Sequence, residues 1–279
     1  MLVMREPVLF TSTLVAWWPE RADDVHALLE TSPLVSINHC ANELADSLSA
    51  LAFRRKRLAN YLIDLTVSPE ELRHRLSPTC RKLLNRADRM EHFVIHNEDL
   101  ETSFRMVNEH LAWKAYRPQV SRAEWDRILS QCDVFSICTD EGVMSTHVVL
   151  ADAERVRPLM SATAERRSQS TAYLNMVSSL NRALHWFELL YYRDRGVRIY
   201  DFGGISMDES APCLTGPLTF KSSFGAEPRA ESCVRLARSD IVRPTLRLLW
   251  GSDRTRGVLG AMWRARLRLH AQRPRPVIP

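Results

Sequence analysis

Two short stretches hold most of the residues whose types and spacing could do chemistry. Five of the nine glycines fall between 196 and 225. Gly203-Gly204 directly follows the extended-looking run Val197–Phe202, where a backbone must turn tightly or approach a ligand closely. Gly225 closes the segment Phe220-Lys221-Ser222-Ser223-Phe224-Gly225. Lys221 is one of four lysines against 34 arginines, so an ammonium stands where the chain's usual cation is a guanidinium. In strand alternation Tyr200 and Phe202 face one way and Asp201 the other. The Asp201 carboxylate could accept a proton or orient an amine; it could equally cap the next turn or pair with Arg193 or Arg198. His147, inside a β-rich run, could face the same region, although a lone strand histidine is more often structural.

Other chemistries find no support. His92-x-x-x-His96 encloses Phe-Val-Ile, which is strand-like and sets the two imidazoles about 13 Å apart. No third ligand lies nearby, and no metal is expected. There is no Walker loop, Rossmann fingerprint or serine nucleophile elbow. Six scattered cysteines without a C-x-x-C suggest neither a disulfide framework nor a zinc site, and fit a reducing cytoplasm. No run reaches the ~18 apolar residues of a membrane span. Serine and threonine interrupt Pro7–Trp18, which is read as strand and turn rather than signal peptide.

The elements around these residues follow from periodicity. Residues 7–18 are extended, 20–30 helical, Ala41–Arg57 a second helix and Tyr61–Val67 β-rich. Ser68-Pro69 and Ser77-Pro78 each start a helix, with serine capping and proline at the first helical position. His92–His96 is a strand; Asp99 and Ser121 cap helices. Val134–Thr139, Val143–Leu150 and Val156–Ala162 form antiparallel strands. Ala172–Arg195 is the longest helix, with Tyr173, Val177, Leu180, Leu184, Phe187 and Tyr191 at spacings of three and four. Gly196 stops it, and the strand Val197–Phe202 follows. The expected class is α+β (α/β): a mixed, mostly antiparallel sheet flanked by helices, in which a helix crosses over to a further strand.

Tyr200-Asp201-Phe202-Gly203-Gly204-Ile205, a short loop, then Phe220-Lys221-x-x-Phe224-Gly225 resembles the Fem family of peptidoglycan-bridge aminoacyl transferases and their smaller acetyltransferase-like (GNAT) relatives. Upstream, Leu76-Ser77-Pro78-x-x-Arg81-x-x-Leu84-x-Arg86-Ala87 is similar to a helix start in those families. The resemblance runs from about residue 61 to 235. It implies an incomplete GNAT-like half over 1–95, a GNAT-like acyltransferase domain over 96–240 and an Arg-rich tail over 241–279. It also implies transfer of an acyl or aminoacyl group to an amine of a small molecule, polysaccharide or cell-envelope precursor. The co-substrate would be acyl-CoA or aminoacyl-tRNA, with no permanently bound cofactor.

By that resemblance Lys221 stabilises charge on the reacting carbonyl and Phe220 positions the donor, with Asp201 as the third catalytic candidate. Arg166, Arg167, Ser170, Gly203, Gly204 and Phe224 would bind the donor. Arg167-Ser168-Gln169-Ser170-Thr171-Ala172 sits where acetyltransferases place Q/R-x-x-G-x-G/A, a loop that offers backbone N–H groups to a pyrophosphate. Here Ser170 replaces the first glycine. Trp113, Lys114, Tyr116, Arg117 and Tyr200 would wall the acceptor pocket. Arg81, Arg86 and Arg89 would track tRNA phosphates. The tail adds a net charge of +8 and leaves about −3 for the rest. Its arginines, with Trp250 and Trp263, suit RNA or an anionic membrane surface. The alternative reading is a non-catalytic RNA- or membrane-surface-binding protein that keeps the fold.

Overall fold

The computed structural model describes residues 1–8, 11–114, 118–164, 170–206 and 215–250. Their elements in order are β1 (Leu2–Val8), β2 (Thr11–Trp17), α1 (Ala22–Thr31), β3 (Leu34–Ala41), α2 (Asn42–Ser47), β4 (Ala52–Asp64), α3 (Pro69–Arg75), α4 (Pro78–Ala87) and β5 (Phe93–His96). There follow α5 (Leu100–Lys114), α6 (Arg122–Leu129), β6 (Cys132–Thr139), β7 (Gly142–Ala151), β8 (Arg155–Thr163), α7 (Thr171–Arg193), β9 (Ile199–Ser206), α8 (Thr215–Ser222), β10 (Glu227–Ala237) and α9 (Arg243–Trp250).

The local signals explain most of these boundaries. Ser68, Ser77, Ser121 and Ser170 each accept a hydrogen bond from the backbone N–H three residues on, capping α3, α4, α6 and α7. Gly196, at φ +81°, ends the turn after α7. Two expectations fail. Residues 52–57 belong to strand β4, not to a helix running from Ala41. Its burial does not follow a helical stripe, and ladder pairing overrides local propensity. The segment carrying Phe220 and Lys221 is helix α8, where only a loop between two strands was expected.

The chain forms two compact units. Of the described residues, those within 1–58, 206–208 and 230–279 form the first, and those within 59–205 and 209–229 the second. The expected segments were cut at 95 and 240. The units differ because β4 and β10 each contribute residues to both, so neither unit is contiguous in sequence. In the first unit β1 and β2 pair antiparallel, β2 and β3 parallel, and β3 and β10 antiparallel. Val25, Leu29, Val35, Ile37, Leu48, Val234 and Leu236 fill its core.

The second unit holds the candidate residues. Its strand order is β4-β9-β8-β7-β6-β5. β5 to β8 are successively antiparallel, and β8 and β9 are parallel. Helices α5 and α7 cover opposite faces. Thr146 hydrogen-bonds Ser103 of α5, while its neighbour His147 bonds Glu188 of α7, and adjacent strand residues point to opposite faces. The buried stripe of α7 runs Val177, Leu180, Leu184, Glu188, Tyr192. Phe187, assigned to the apolar stripe from spacing, is 37% exposed.

Candidate active site

β8 and β9 are in parallel register only at Arg155↔Ile199 and Val156↔Tyr200. Beyond those pairs the two strands part, β8 running on to Thr163 and β9 to Ser206. Where they diverge, Asp201 is fully buried. Its Oδ2 accepts from Arg155 Nη2 at 2.7 Å and Arg157 Nη1 at 3.0 Å. Its Oδ1 accepts from the backbone N–H of Gly203 at 2.7 Å. Gly203 has φ +80°, and a Cβ there would lie 2.9 Å from Arg157 Nη2. The left-handed backbone is what favours glycine here; the guanidinium beside it is the movable end of a long side chain.

Helix α8 brings Lys221 to the same point. Its Nζ donates to the carbonyl oxygen of Gly203 at 2.7 Å and lies 5.8 Å from the centre of the Tyr61 ring. Burial, and after it the Arg157 cation, lowers the Lys221 pKa to about 8, with Asp201 opposing both. An ammonium has three N–H donors, so two remain beyond the one held by Gly203. Gly225, φ +76°, ends the segment after α8; a Cβ there would meet Arg75 Cβ at 2.8 Å and Arg75 O at 2.9 Å. The adjacent Ser77 N–H donates to Ser223 O at 2.9 Å, so the start of α4 anchors the end of α8.

Phe220 lies beside a cleft of about 500 Å³ lined by Thr163, Ser178, Asn181, Arg182, Gly216, Thr219 and Phe220. Arg182 sits over the Phe220 ring at 4.9 Å. Beneath, Phe202, Phe220 and Phe224 surround His185, with ring centres 5.0, 5.4 and 5.7 Å away.

Several expected roles change. Asp201 was a candidate base; its carboxylate is held by two guanidinium groups and an amide N–H. Tyr200 was expected to touch the acceptor, yet it is fully buried and its hydroxyl donates to Glu188 Oε2. Phe224 is 2% exposed and packs in the core instead of contacting a donor. The Ser170 hydroxyl caps α7. Gly204 follows Gly203 in β9 and stays half-buried.

The remaining candidates are placed apart from Lys221 along the chain. Trp113 is 49% exposed near the end of α5, with Lys114 Nζ 4.5 Å from its ring centre. Arg86 and Arg89 are exposed, and Arg81 donates to His74 O at 3.2 Å. Tyr116, Arg117, Arg166, Arg167 and the tail beyond 250 lie outside the described residues.

Sequence reasoning missed Arg155 and Arg157, and it missed a buried polar cluster. Glu188 Oε1 is 2.6 Å from His147 Nδ1, and His185 Nδ1 is 2.8 Å from the Tyr200 hydroxyl. His147 and Glu188 have no exposed surface. Burial alone would raise the Glu188 carboxyl; the charge and hydrogen bond of His147 bring it well below the usual range. Burial, then the His147 charge, lowers His185 to about 4. Burial and the Glu188 charge push the Tyr200 phenol up. A glutamate at a stripe position of α7 was the available signal. His147, His185 and Glu188 place ligand-type atoms within 4.8 Å of one another, but the Nδ1 atoms and carboxylate oxygens already hydrogen-bond within the cluster. His92 and His96 are engaged separately, by Met90 O and by Asp133.

No protein-family model matches the chain, and no curated protein matches its sequence. Solved structures do. FemX superposes with a TM-score of 0.62 at 11% identity, covering 88% of this chain and 86% of FemX. The fold is that of the Fem and GNAT-type acyltransferases. The C-terminal domain of a lysylphosphatidylglycerol synthetase from Agrobacterium fabrum matches with a TM-score of 0.53 at 15% identity, over 88% of this chain and 83% of that domain. L-PGS from Bacillus licheniformis matches with a TM-score of 0.51 at 11% identity, over 90% and 86%. At these identities the likeness concerns the Fem-type fold. Among the described residues no helix is long and apolar enough to cross a membrane.

Proposed function

We propose that this protein is an N-acyltransferase that moves an acyl or aminoacyl group from acyl-CoA or aminoacyl-tRNA to an amine. The observation that carries the reading is the position of Lys221, a largely desolvated ammonium held at Gly203 where β8 and β9 part. Attack of a neutral amine on the thioester or ester forms the C–N bond and places negative charge on the carbonyl oxygen. Expulsion of the thiolate or ribose oxygen completes the transfer, and the proton lost by the amine ends on the leaving group or on water. A cation facing that oxygen in a water-poor site is worth roughly 3–4 kcal/mol. The two uncommitted N–H groups of Lys221 would serve it, and Phe220 would hold the donor against the cleft. Arg155, Arg157 and Asp201 position the Gly203 carbonyl that aims the ammonium.

The fold is shared with FemX and with proteins named for lysylphosphatidylglycerol synthesis, which favours an activated aminoacyl or acyl donor over other chemistry. The acceptor is an amine on a small molecule or cell-envelope precursor. The decisive measurement is amine acylation by wild type and Lys221→Met, with acyl-CoA and with charged tRNA supplied separately. An enzyme loses turnover in the variant while retaining its fold. A binding protein shows no turnover in either form. Abolition of activity by ribonuclease assigns the tRNA donor; activity that survives nuclease and needs only acyl-CoA assigns the other.

A further inference from the structure

We propose that the first unit carries an anion site of its own for a small phosphate or diphosphate group, a cavity on the sheet face turned away from α1 and α2 where Lys56, Arg54 and Arg235 converge. The site goes beyond the acyl-transfer reading and does not rest on it, because every residue involved belongs to the first unit.

The two faces of that sheet are distinguishable. Val35, Ile37, Val234 and Leu236 point into the core with Val25 and Leu29 of α1. Ser36, Asn38 and Arg235 alternate with them and so point to the other face. The register sets Val15 against Ser36 and Ser36 against Arg235, so these three stand in one row across β2, β3 and β10. On β4, Arg55 bonds Ser232 Oγ and Asn42 Oδ1 of α2, on the helical side. Its neighbours Arg54 and Lys56 line the cavity on the opposite side, with Arg235, Ser36 and Asn38.

The cavity measures about 180 Å³. Its three cations are half-buried, and Glu6, the acidic residue among those lining it, is exposed. Three positive charges against one carboxylate leave an excess of cation. Like charges gathered around one cavity repel each other, and an entering anion relieves that repulsion where water does not. Lys56 makes no hydrogen bond or ion pair with any described residue. Its three N–H donors are left to whatever fills the cavity. Guanidinium forks match phosphate oxygens in pairs, and an ammonium adds a compact charge. The Ser36 hydroxyl and the Asn38 amide are neutral donors beside them. Donors arriving from β3, β4 and β10 surround a space, which suits the several oxygens of a phosphate better than the two of a carboxylate.

Full-length protein titrated with inorganic pyrophosphate, against sodium chloride at matched ionic strength, tests the site. The melting temperature should rise with pyrophosphate concentration and not with the salt. Cys233 lines the cavity and is half-buried. Its alkylation by iodoacetamide, followed by peptide mapping, should slow as the site fills. A melting temperature that follows ionic strength alone, or Cys233 alkylation unchanged at high pyrophosphate, overturns the proposal.

Lys56→Met should weaken pyrophosphate roughly tenfold or more. Without ligand the same variant should melt at or above the wild-type temperature, because a repelling charge is gone. A lysine that only braces the fold gives the opposite, a lower melting temperature with unaltered affinity, and that result sinks the idea. Arg57 is exposed and alternates with Lys56 along β4. Arg57→Gln removes the same formal charge and should leave affinity unchanged; an equal loss would reduce the effect to net charge and count against a site. Glu6→Gln should tighten binding, because the one opposing carboxylate is removed, and weaker binding there contradicts the assignment. A minihelix RNA ending in CCA that protects Cys233 where pyrophosphate does not would give this face to a polynucleotide and discard the small-anion site. Loss of acylation in Lys221→Met with Cys233 protection intact bears on the transfer reading alone.

Discussion

The ammonium of Lys221 lies 2.7 Å from the carbonyl oxygen of Gly203, and the N–H of the same glycine lies 2.7 Å from Asp201. One peptide unit on each side of Gly203 thus connects a buried carboxylate, gripped by two arginines, to the only lysine in helix α8. A lysine with a long flexible stem acquires a fixed direction in this way. The left-handed conformation of Gly203 is what lets its two backbone groups serve residues on different elements. This relationship generates the first predictions.

Lys221→Met should reduce acyl transfer by roughly 10²–10³-fold, the size of a lost oxyanion-stabilising donor. The variant should melt at or slightly above the wild-type temperature, because burying the ammonium disfavours its charged form in the fold. Lys221→Arg should rescue poorly, since a planar guanidinium is bulkier than an ammonium point charge. Single-turnover rates with saturating donor measure the effect; full activity in the methionine variant would discard the assignment.

The acidity of Lys221 sets a pH window. Its folded pKa of about 8 is below the ordinary 10.5. The charged lysine therefore costs stability below about pH 8, and that cost is relieved as pH rises from 8 towards 10.5. Activity has the opposite slope, because the catalytic form is the ammonium, which disappears above about pH 8. Wild type minus Lys221→Met should show a difference in stability that shrinks over this interval, while kcat of wild type falls. A kcat still climbing at pH 9.5 would remove the ammonium from the reaction.

Much of this arrangement was legible from residue order. The serine and proline starts of α3 and α4, the antiparallel run β6–β8 and the long α7 all rest on local signals, and local signals survive folding. The glycine pair and Phe220-Lys221 stood out in the sequence as two segments, and the fold joins them through the Lys221–Gly203 hydrogen bond. What local patterns could not carry was pairing over distance. Asp201 resembled a free carboxylate because its partners, Arg155 and Arg157, lie 46 and 44 residues away. Tyr200 and Phe224 looked like ligand contacts because aromatic residues near glycines suit both cores and pockets. Residues 52–57 looked helical because ladder partners, not local propensity, make them a strand.

Two glycine substitutions separate folding from function. At Gly225 an added Cβ meets Arg75 backbone atoms as near as 2.9 Å, in a left-handed conformation. Gly225→Ala should therefore cost roughly 2 kcal/mol or more of stability. At Gly203 the nearest atoms belong to the movable end of Arg157, so the backbone penalty of about 1–2 kcal/mol dominates. There the larger loss should be in kcat, because the carbonyl that aims Lys221 turns with the peptide. Denaturant melts and turnover on the two variants should rank oppositely; equal effects on both properties would contradict the distinction.

Asp201→Asn asks whether the carboxylate is a base or an anchor. An anchor gives a large thermodynamic effect, about 3–5 kcal/mol, because two guanidinium groups lose their buried anion. The surviving folded fraction should retain a measurable rate, since the Asp201 carboxylate does not receive the proton. A base gives the reverse, a stable fold with catalysis abolished across the whole pH range. Arg155→Met and Arg157→Met supply the matching controls. Each should destabilise less than Asp201→Asn, because the carboxylate keeps one guanidinium and the Gly203 N–H. Arg157→Met should in addition raise the Lys221 pKa, since the guanidinium that repels the ammonium is gone. The alkaline limb of the kcat profile should move upward in that variant alone, and its failure to move would show that Arg157 and Lys221 do not sense one another.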